Sequence, residues 1–489
     1  MTKSQSRTTR SEANAKAPQA SRRRRWVKLI SRTLSLIAVG LIVAHWFWAR
    51  SAERNLDEQI RIYAAAGEPI YPADLNDEPL PESENAVLEL REAGRLLKDS
   101  AVEWITFAQL NPGPPLSPKH MEIIFAVMQA NRDALKHLDA AAAKSRIDWQ
   151  MKFASPVLEV RFEELNNSLH LASLLRAAAL YAHQDGTEGE ALVRVRQMLA
   201  LSRIVDRQRR LSAHVTAASI AALAAKTASD IAPDLRVRMP SARVLHDLIA
   251  EFLDDASLRD GQLRALYMTR VMFWDTAKTV AGGRGDLLSR GDGTGIAGGR
   301  IGCYANKPLL MNDGLWLVRY MSTLANAAKY SADWPEFCQN APPDAVELLR
   351  NQSGHLIANR LLPDLPRVIR VNYRASVECR LAGLALAAAW YAGDRAGVMP
   401  ASLEELKPNY LPYVPFDPMA GGGKPLRLGG VAERRVIYSV GDDGVDDGGS
   451  EVAPASHYGA GPGAGTWDRR DFVVRLTRRP AVTKPATAP

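Results

Sequence analysis

The stretch TLSLIAVGLIVAHWFWA, Thr33–Ala49, decides how the rest of this chain is read. Its 17 residues include no Asp, Glu, Lys or Arg. A helix rising ~1.5 Å per residue needs ~17–25 apolar residues to cross a hydrocarbon layer, so the run is at the short end of what spans. Arg32 and Arg50 flank it and can snorkel outward, while Trp46 and Trp48 suit the headgroup interface. Upstream, residues 1–32 hold ten Lys/Arg, among them Arg22–Arg25, against the single acid Glu12. That tail carries +9 and leaves the other 457 of the 489 residues at −1, so the formal charge of +8 is a property of the tail. A nucleic-acid surface is not expected. The positive-inside rule places residues 1–32 in the cytoplasm and everything after Arg50 across the bilayer, reached through a lipid contact over 33–49. The alternative is a cleaved signal peptide ending near Ala49-Arg50-Ser51; three aromatics just upstream and the long basic region count against cleavage.

Outward from this run, composition describes an ordinary globular body: 46% hydrophobic, 24% charged and 7% aromatic. Collagen-like, wholly disordered and multi-span membrane chains are excluded. Residues 50–82 read as a linker. From about 83 to 397 the sequence reads as helices with short punctuation, at 84–109, 157–184, 188–208, 211–231, 241–280, 343–360 and 366–393. Pro112, Pro114 and Pro115 end the first, and Ser117-Pro118 opens the next. Ala is abundant, which favours helix and close approach of neighbours. The expected architecture is mainly α: an N-terminal transmembrane helix, then a multi-helix hairpin bundle or α-solenoid-like ectodomain, then a small α+β module.

Residues 282–302 are Gly-rich and read as a flexible loop. Gly293, Gly295 and Gly298 match a dinucleotide fingerprint only formally, because a helix and not a strand precedes them. Cys303, Cys338 and Cys379 are too few for a disulfide framework and lack zinc spacing. Cys303 and Cys338 flank one helical segment, and whether they are bridged stays open. The nine His are dispersed, with no HExxH or HxxxH. There is no Walker loop and no G-x-S-x-G elbow. Glu163-Glu164 and Asp254-Asp255 are adjacent carboxylates that point about 100° apart on a helix and read as solvated faces.

The texture changes at about 398. Ser402 with Glu405 reads as a capping box. Pro408, Pro412, Pro415 and Pro418 force extended segments. Arg435–Val440 and Phe472–Leu476 read as strands around the acidic turn Gly441–Gly449. The tail 477–489 is expected to be disordered. The elements in order are Leu403 and Leu406, Tyr410-Leu411-Pro412, Pro415, Asp417-Pro418, Gly423-Lys424-Pro425-Leu426, Tyr438-Ser439-Val440-Gly441, Asp443-Gly444 and Gly448-Gly449. Over residues 398–476 this order resembles the C-terminal globular region of the major pseudopilins of type II secretion. The resemblance implies a Ca2+ site on Asp443, Asp446, Asp447 and Asp471, with Asp468 a weaker candidate. A Gly-rich acidic loop suits that chemistry, since Ca2+ takes six to eight oxygens and Gly-rich backbone offers carbonyls. A solvated acidic turn is the simpler alternative. The apolar run carries no Glu, and Arg32-Thr33-Leu34 supplies no pilin processing site, so polymerisation into a pseudopilus is not expected. The whole layout is similar to bacterial membrane-anchored proteins that join a helical ectodomain to a pseudopilin-like end.

No catalytic constellation stands out. The leading expectation is a non-catalytic protein of the bacterial cytoplasmic membrane, its helical domain or C-terminal module meeting protein partners outside the cytoplasm. An accessory of a type II secretion or pilus-like machine, and a hydrolase whose groups converge from distant positions, are the alternatives.

Overall fold

The apolar run is the middle of a helix, not the whole of one. The computed structural model describes residues 17–98, 113–163, 165–237, 239–288, 299–349, 354–362, 364–431, 434–450 and 471–477. Its first element, α1, runs unbroken from Ala17 to Ala65, 49 residues and about 74 Å. Its two halves have opposite surroundings. Leu34, Leu36, Ile37, Leu41 and Ile42 are each more than half exposed, whereas Ala52, Leu56 and Ile60 are buried. The last three recur every fourth residue and so form one stripe. The basic tail, expected to be disordered over 1–32, is helical from Ala17, while residues 1–16 lie outside the described residues. The expected linker over 50–82 begins as the buried half of α1, because Ala52, Leu56 and Ile60 gain more by packing than a linker would by staying free.

The stripe lies on α11, Lys307–Tyr330, which also packs along α9, Ala256–Ala281. Gly314 lets the three helices meet: a Cβ there would be 2.7 Å from Ala277 Cβ and 3.4 Å from Leu56 Cδ2. Beyond the end of α1, the guanidinium of Arg270 on α9 is buried. It pairs with Glu68, donates to Ser322 Oγ (2.9 Å) and Pro69 O (2.8 Å), and faces the rings of Tyr63 and Tyr267 at 5.0 and 4.8 Å. Trp274 Nε1 donates to Ile70 O at 2.9 Å. The chain leaving α1 is thus stapled to α9.

The remaining helices are α2 (Ala86–Leu96), α3 (Pro118–Ala130), α4 (Arg132–Ala143), α5 (Asn166–Gln184), α6 (Glu188–Asp206), α7 (Leu211–Ile231), α8 (Met239–Leu253), α10 (Gly299–Ala305), α12 (Trp334–Asn340), α13 (Ala345–Leu349), α14 (Ala358–Leu361) and α15 (Leu365–Asp394). Neighbours in sequence pack as hairpins, α5 on α6 and α6 on α7, and α15 closes on α7 from the far end of the chain. Ala217, Ala221, Ala224 and Ala228 on α7, with Ala382, Ala385 and Ala388 on α15, are all buried, so these two helices carry small-residue stripes. A single hydrophobic core runs from Ala52 to Leu476.

Several expected helices are differently bounded. The one over 84–109 ends at Leu96 before residues 99–112, which lie outside the described residues, and that over 157–184 starts only at Asn166. The segment 241–280 is two helices: Asp254 Oδ1 accepts from Ala256 N (3.0 Å), and Asp255 pairs with Arg380 at 2.6 Å. Asp255 is therefore not part of a solvated face. Over 343–360 the described residues form α13 and α14, the second held because Asp313, buried on α11, accepts from Ile357 N (2.5 Å) and Ala358 N (3.2 Å). In the Gly-rich segment, 285–288 form a 3-10 turn and 299–305 are α10, while Gly293, Gly295 and Gly298 lie outside the described residues. Residues 478–489 do so as well.

The C-terminal part is a three-stranded antiparallel sheet, β1 (Arg427–Gly429), β2 (Val436–Ser439) and β3 (Phe472–Arg475), with β2 central. Tyr438 faces Arg427 on one side and Val473 on the other. β2, buried throughout, packs on α15.

A buried polar knot ties α6, α7 and α9. Asp206 accepts from His214 Nδ1 (2.9 Å) and Arg264 (3.3 Å), against Gly261, where a Cβ would come within 1.5 Å of Asp206 Oδ2. Gly261→Ala must displace that carboxylate and strand its cations. It is expected to lower unfolding free energy by about 3 kcal/mol in urea titrations of the full chain.

Candidate functional site

Proline spacing keeps residues 407–426 out of helix, and this delivers Asp417 to the centre of the C-terminal module. Its carboxylate is fully buried and accepts from Ser439 Oγ (2.7 Å), Met419 N (3.0 Å) and Val440 N (3.0 Å), with Arg427 at 3.7 Å. Asp417 therefore ties the proline-rich loop to β2. The sequence marks it only as part of a motif, since its partners on β2 lie more than twenty residues away.

The expected ion ligands lie on the turn after β2 and immediately before β3. Asp471 Oδ2 accepts from Gly449 N (2.8 Å) and Ser450 N (3.3 Å), and its Oδ1 from Asp447 N (3.4 Å). One carboxylate thus shapes the turn from below. Asp446 accepts from Tyr438 Oη (3.1 Å) and pairs with Arg427 (3.0 Å). Asp443 accepts from Val445 N, two residues on, at 3.0 Å. Asp442 leaves the group altogether and pairs with Arg374 and, at 3.7 Å, Arg370 on α15. Among the described residues no three His, Cys, Asp or Glu side chains gather as a metal site. Asp468 lies outside the described residues. As arranged, Arg427 meets Asp446, Arg374 and Arg370 meet Asp442, and backbone N–H groups meet Asp443 and Asp471.

Burial raises Asp471 above the ordinary carboxylate range, and the three N–H donors pull it partly back. Burial, with the Asp446 carboxylate beside it, pushes the Tyr438 phenol up to about 12.

The module is locked to the helical body. Arg380 donates to Phe416 O (2.7 Å) and lies over its ring at 3.9 Å. Trp334 N donates to Pro418 O (2.8 Å), Gly422 N to Asp333 Oδ2 (2.9 Å), and Tyr391 Oη to Glu405 (2.5 Å). Glu405 also accepts from Ala401 N and from the Ser402 backbone, but the Ser402 side chain caps nothing, so only half of the expected capping box forms.

Elsewhere an open groove of about 570 Å³ runs between β3 and the end of α7, with Lys226, Asp230 and Phe472 in its lining. Asp230 there pairs with Lys226 (2.9 Å) and with Arg176 (3.0 Å). A second hollow, about 630 Å³, holds Arg91, but that guanidinium is spent on Glu163, Gln150 and Trp149 O. Cys303, Cys338 and Cys379 are free thiols, with Cys303 and Cys379 buried. Burial pushes the Cys338 and Cys379 thiols up, the opposite of activation. Among the described residues four histidines hydrogen-bond to carboxylates: His137 on Glu89, His183 on Glu188, His214 on Asp206 and His355 on Asp313. Only the helix packing brings most of these pairs together, which is why sequence spacing does not show them. They act as interhelical or turn clamps.

Compared with protein families, curated proteins and solved structures, the chain matches none.

Because Asp471 holds its proton to higher pH than it does in the unfolded chain, the folded state binds more protons between the ordinary Asp range and its own. Stability contributed there falls as pH rises through that window. Asp471→Asn is expected to flatten that slope. It should also cost about 1–2 kcal/mol at neutral pH, because an amide NH2 would face N–H donors; urea unfolding at several pH values checks both.

Proposed function

We propose that this chain is a single-pass membrane protein in which α1 carries a non-catalytic helical scaffold on the extracytoplasmic side of a bacterial cytoplasmic membrane. One observation carries the reading: the same helix is apolar and bare over its first half and part of the core over its second. Fourteen large apolar side chains between Trp26 and Trp48 stand about half exposed or more. Leaving them in water forgoes on the order of 20 kcal/mol of transfer free energy. A bilayer supplies that solvent, and the positive tail favours the cytoplasmic side for residue 17 and what precedes it.

The C-terminal module, pseudopilin-like in the order of its motifs, serves in this reading as the end of the scaffold. Its hydrogen bonds to α15 and α12 support a fixed part over a tethered docking unit. The acidic turn is structural, neutralised by Arg374 and Arg427.

A reporter fused after Pro489 is expected to be active only outside the cytoplasm, and the intact chain to stay with membranes through alkaline carbonate washing. Release of the intact chain into the soluble fraction overturns the placement. Added Ca2+ is expected to leave the melting temperature unchanged; a rise that Asp443→Ala abolishes would establish the ion site implied by the pseudopilin resemblance.

A further inference from the structure

Resting on that anchorage, we infer that α10 is a second membrane contact, an interfacial foot that presses the floor of the helical domain into the outer leaflet beside α1. Ile301, at 86%, is the most exposed large apolar side chain among the described residues, and Tyr304, one turn on, is 52% exposed. On the opposite side Cys303 is fully buried. The seven-residue helix is thus two-faced, with Arg300 exposed next to the apolar face. An aliphatic, a tyrosine and an arginine on one face is the composition that settles at a headgroup boundary.

Where this face lies along α1 is fixed by contact. His45 bonds Ala305 O through Nε2 at 3.0 Å, and its ring sits 5.3 Å from that of Tyr304. His45 lies inside the charge-free run, four residues before its end at Ala49. The body of the protein therefore meets α1 about 6 Å before the apolar segment is over. From Thr33 to His45 the helix rises about 18 Å, against a hydrocarbon layer of about 30 Å. An ectodomain floating clear of the lipid would leave that segment far too short. Sinking α10 to the level of the outer boundary keeps the whole of that segment in lipid, leaves snorkelling of Arg32 and local thinning of the bilayer to take up the remainder, and removes Ile301 and Tyr304 from water in the same step. The bond to His45 also satisfies the one ionisable side chain within the run, which would otherwise be costly at that depth. The occupant of this apolar face is thus the bilayer already holding α1.

The test uses the full chain in vesicles of phosphatidylethanolamine and phosphatidylglycerol, with the exposed thiol removed as Cys338→Ser. A small fluorophore is placed in turn at Ile301→Cys, Leu41→Cys and Tyr330→Cys, and emission is compared in lipids with and without brominated acyl chains. Tyr330 ends α11 about 35 Å from Lys307 and serves as the distant control. Labels at 301 and 41 are expected to lose about half their emission, and the label at 330 none. If 41 is quenched while 301 behaves like 330, the foot is overturned and the anchorage stands. If 41 is also unquenched, both fall. A label at 301 that is shielded from water yet unquenched means protein covers α10, a second copy for instance, and overturns the lipid contact. Arg300→Cys, exposed on the same helix, repeats the measurement should Ile301→Cys disturb folding.

Discussion

The structure depends on α1 being shared between two surroundings without a break. A helix whose first half lies outside the core and whose second half is core transmits position rigidly, provided the second half cannot slide. The Ala52, Leu56 and Ile60 stripe resists sliding by packing at the Gly314 crossing. Arg270 resists it through charge. Removing a guanidinium from water costs several kcal/mol, which only its full set of partners offsets: Glu68, Ser322, Pro69 O and two aromatic faces. Three of those partners, Tyr63, Glu68 and Pro69, belong to the last turn of α1 and the chain just after it. The buried cation is stable only where α1 ends in this register.

The same economy of space recurs through the helical body. Gly314 and Gly261 each occupy a point where a methyl group would collide with a neighbouring helix or a buried carboxylate. Alanine stripes on α7 and α15 do this more gently over their whole length. Cores built from small side chains bury less apolar area per residue, so polar pairs between helices add specificity. Asp206 with His214 and Arg264, and Asp313 with His355 and the start of α14, are of this kind. Their carboxylates are enclosed and committed, which makes them structural clamps.

At the C-terminal end the acidic turn is tied into the fold through its carboxylates. Asp471 gathers three N–H groups, Asp446 meets Tyr438 and Arg427, and Asp442 reaches across to Arg374 on α15. What the turn achieves is attachment, joining the sheet to the helix behind it.

Local features of the sequence determined what local physics governs. The apolar run and the positive tail define α1's bare half, the 3.6-residue period with abundant Ala defines α5, α6, α7 and α15, and Val-rich segments define β2 and β3, though not β1. Sequence could not show that residues 50–65 belong to the core, because an amphipathic half-helix gains its stability only from a partner about 260 residues away on α11. Nor could it show the break at Asp254-Asp255, where Asp255 pairs with Arg380 from α15. Asp417 and the His–carboxylate clamps were equally hidden, since burial decides whether a charge is a ligand, a clamp or a solvated side chain. The tertiary structure made those decisions by fixing which groups lose water and which partners wait for them when they do.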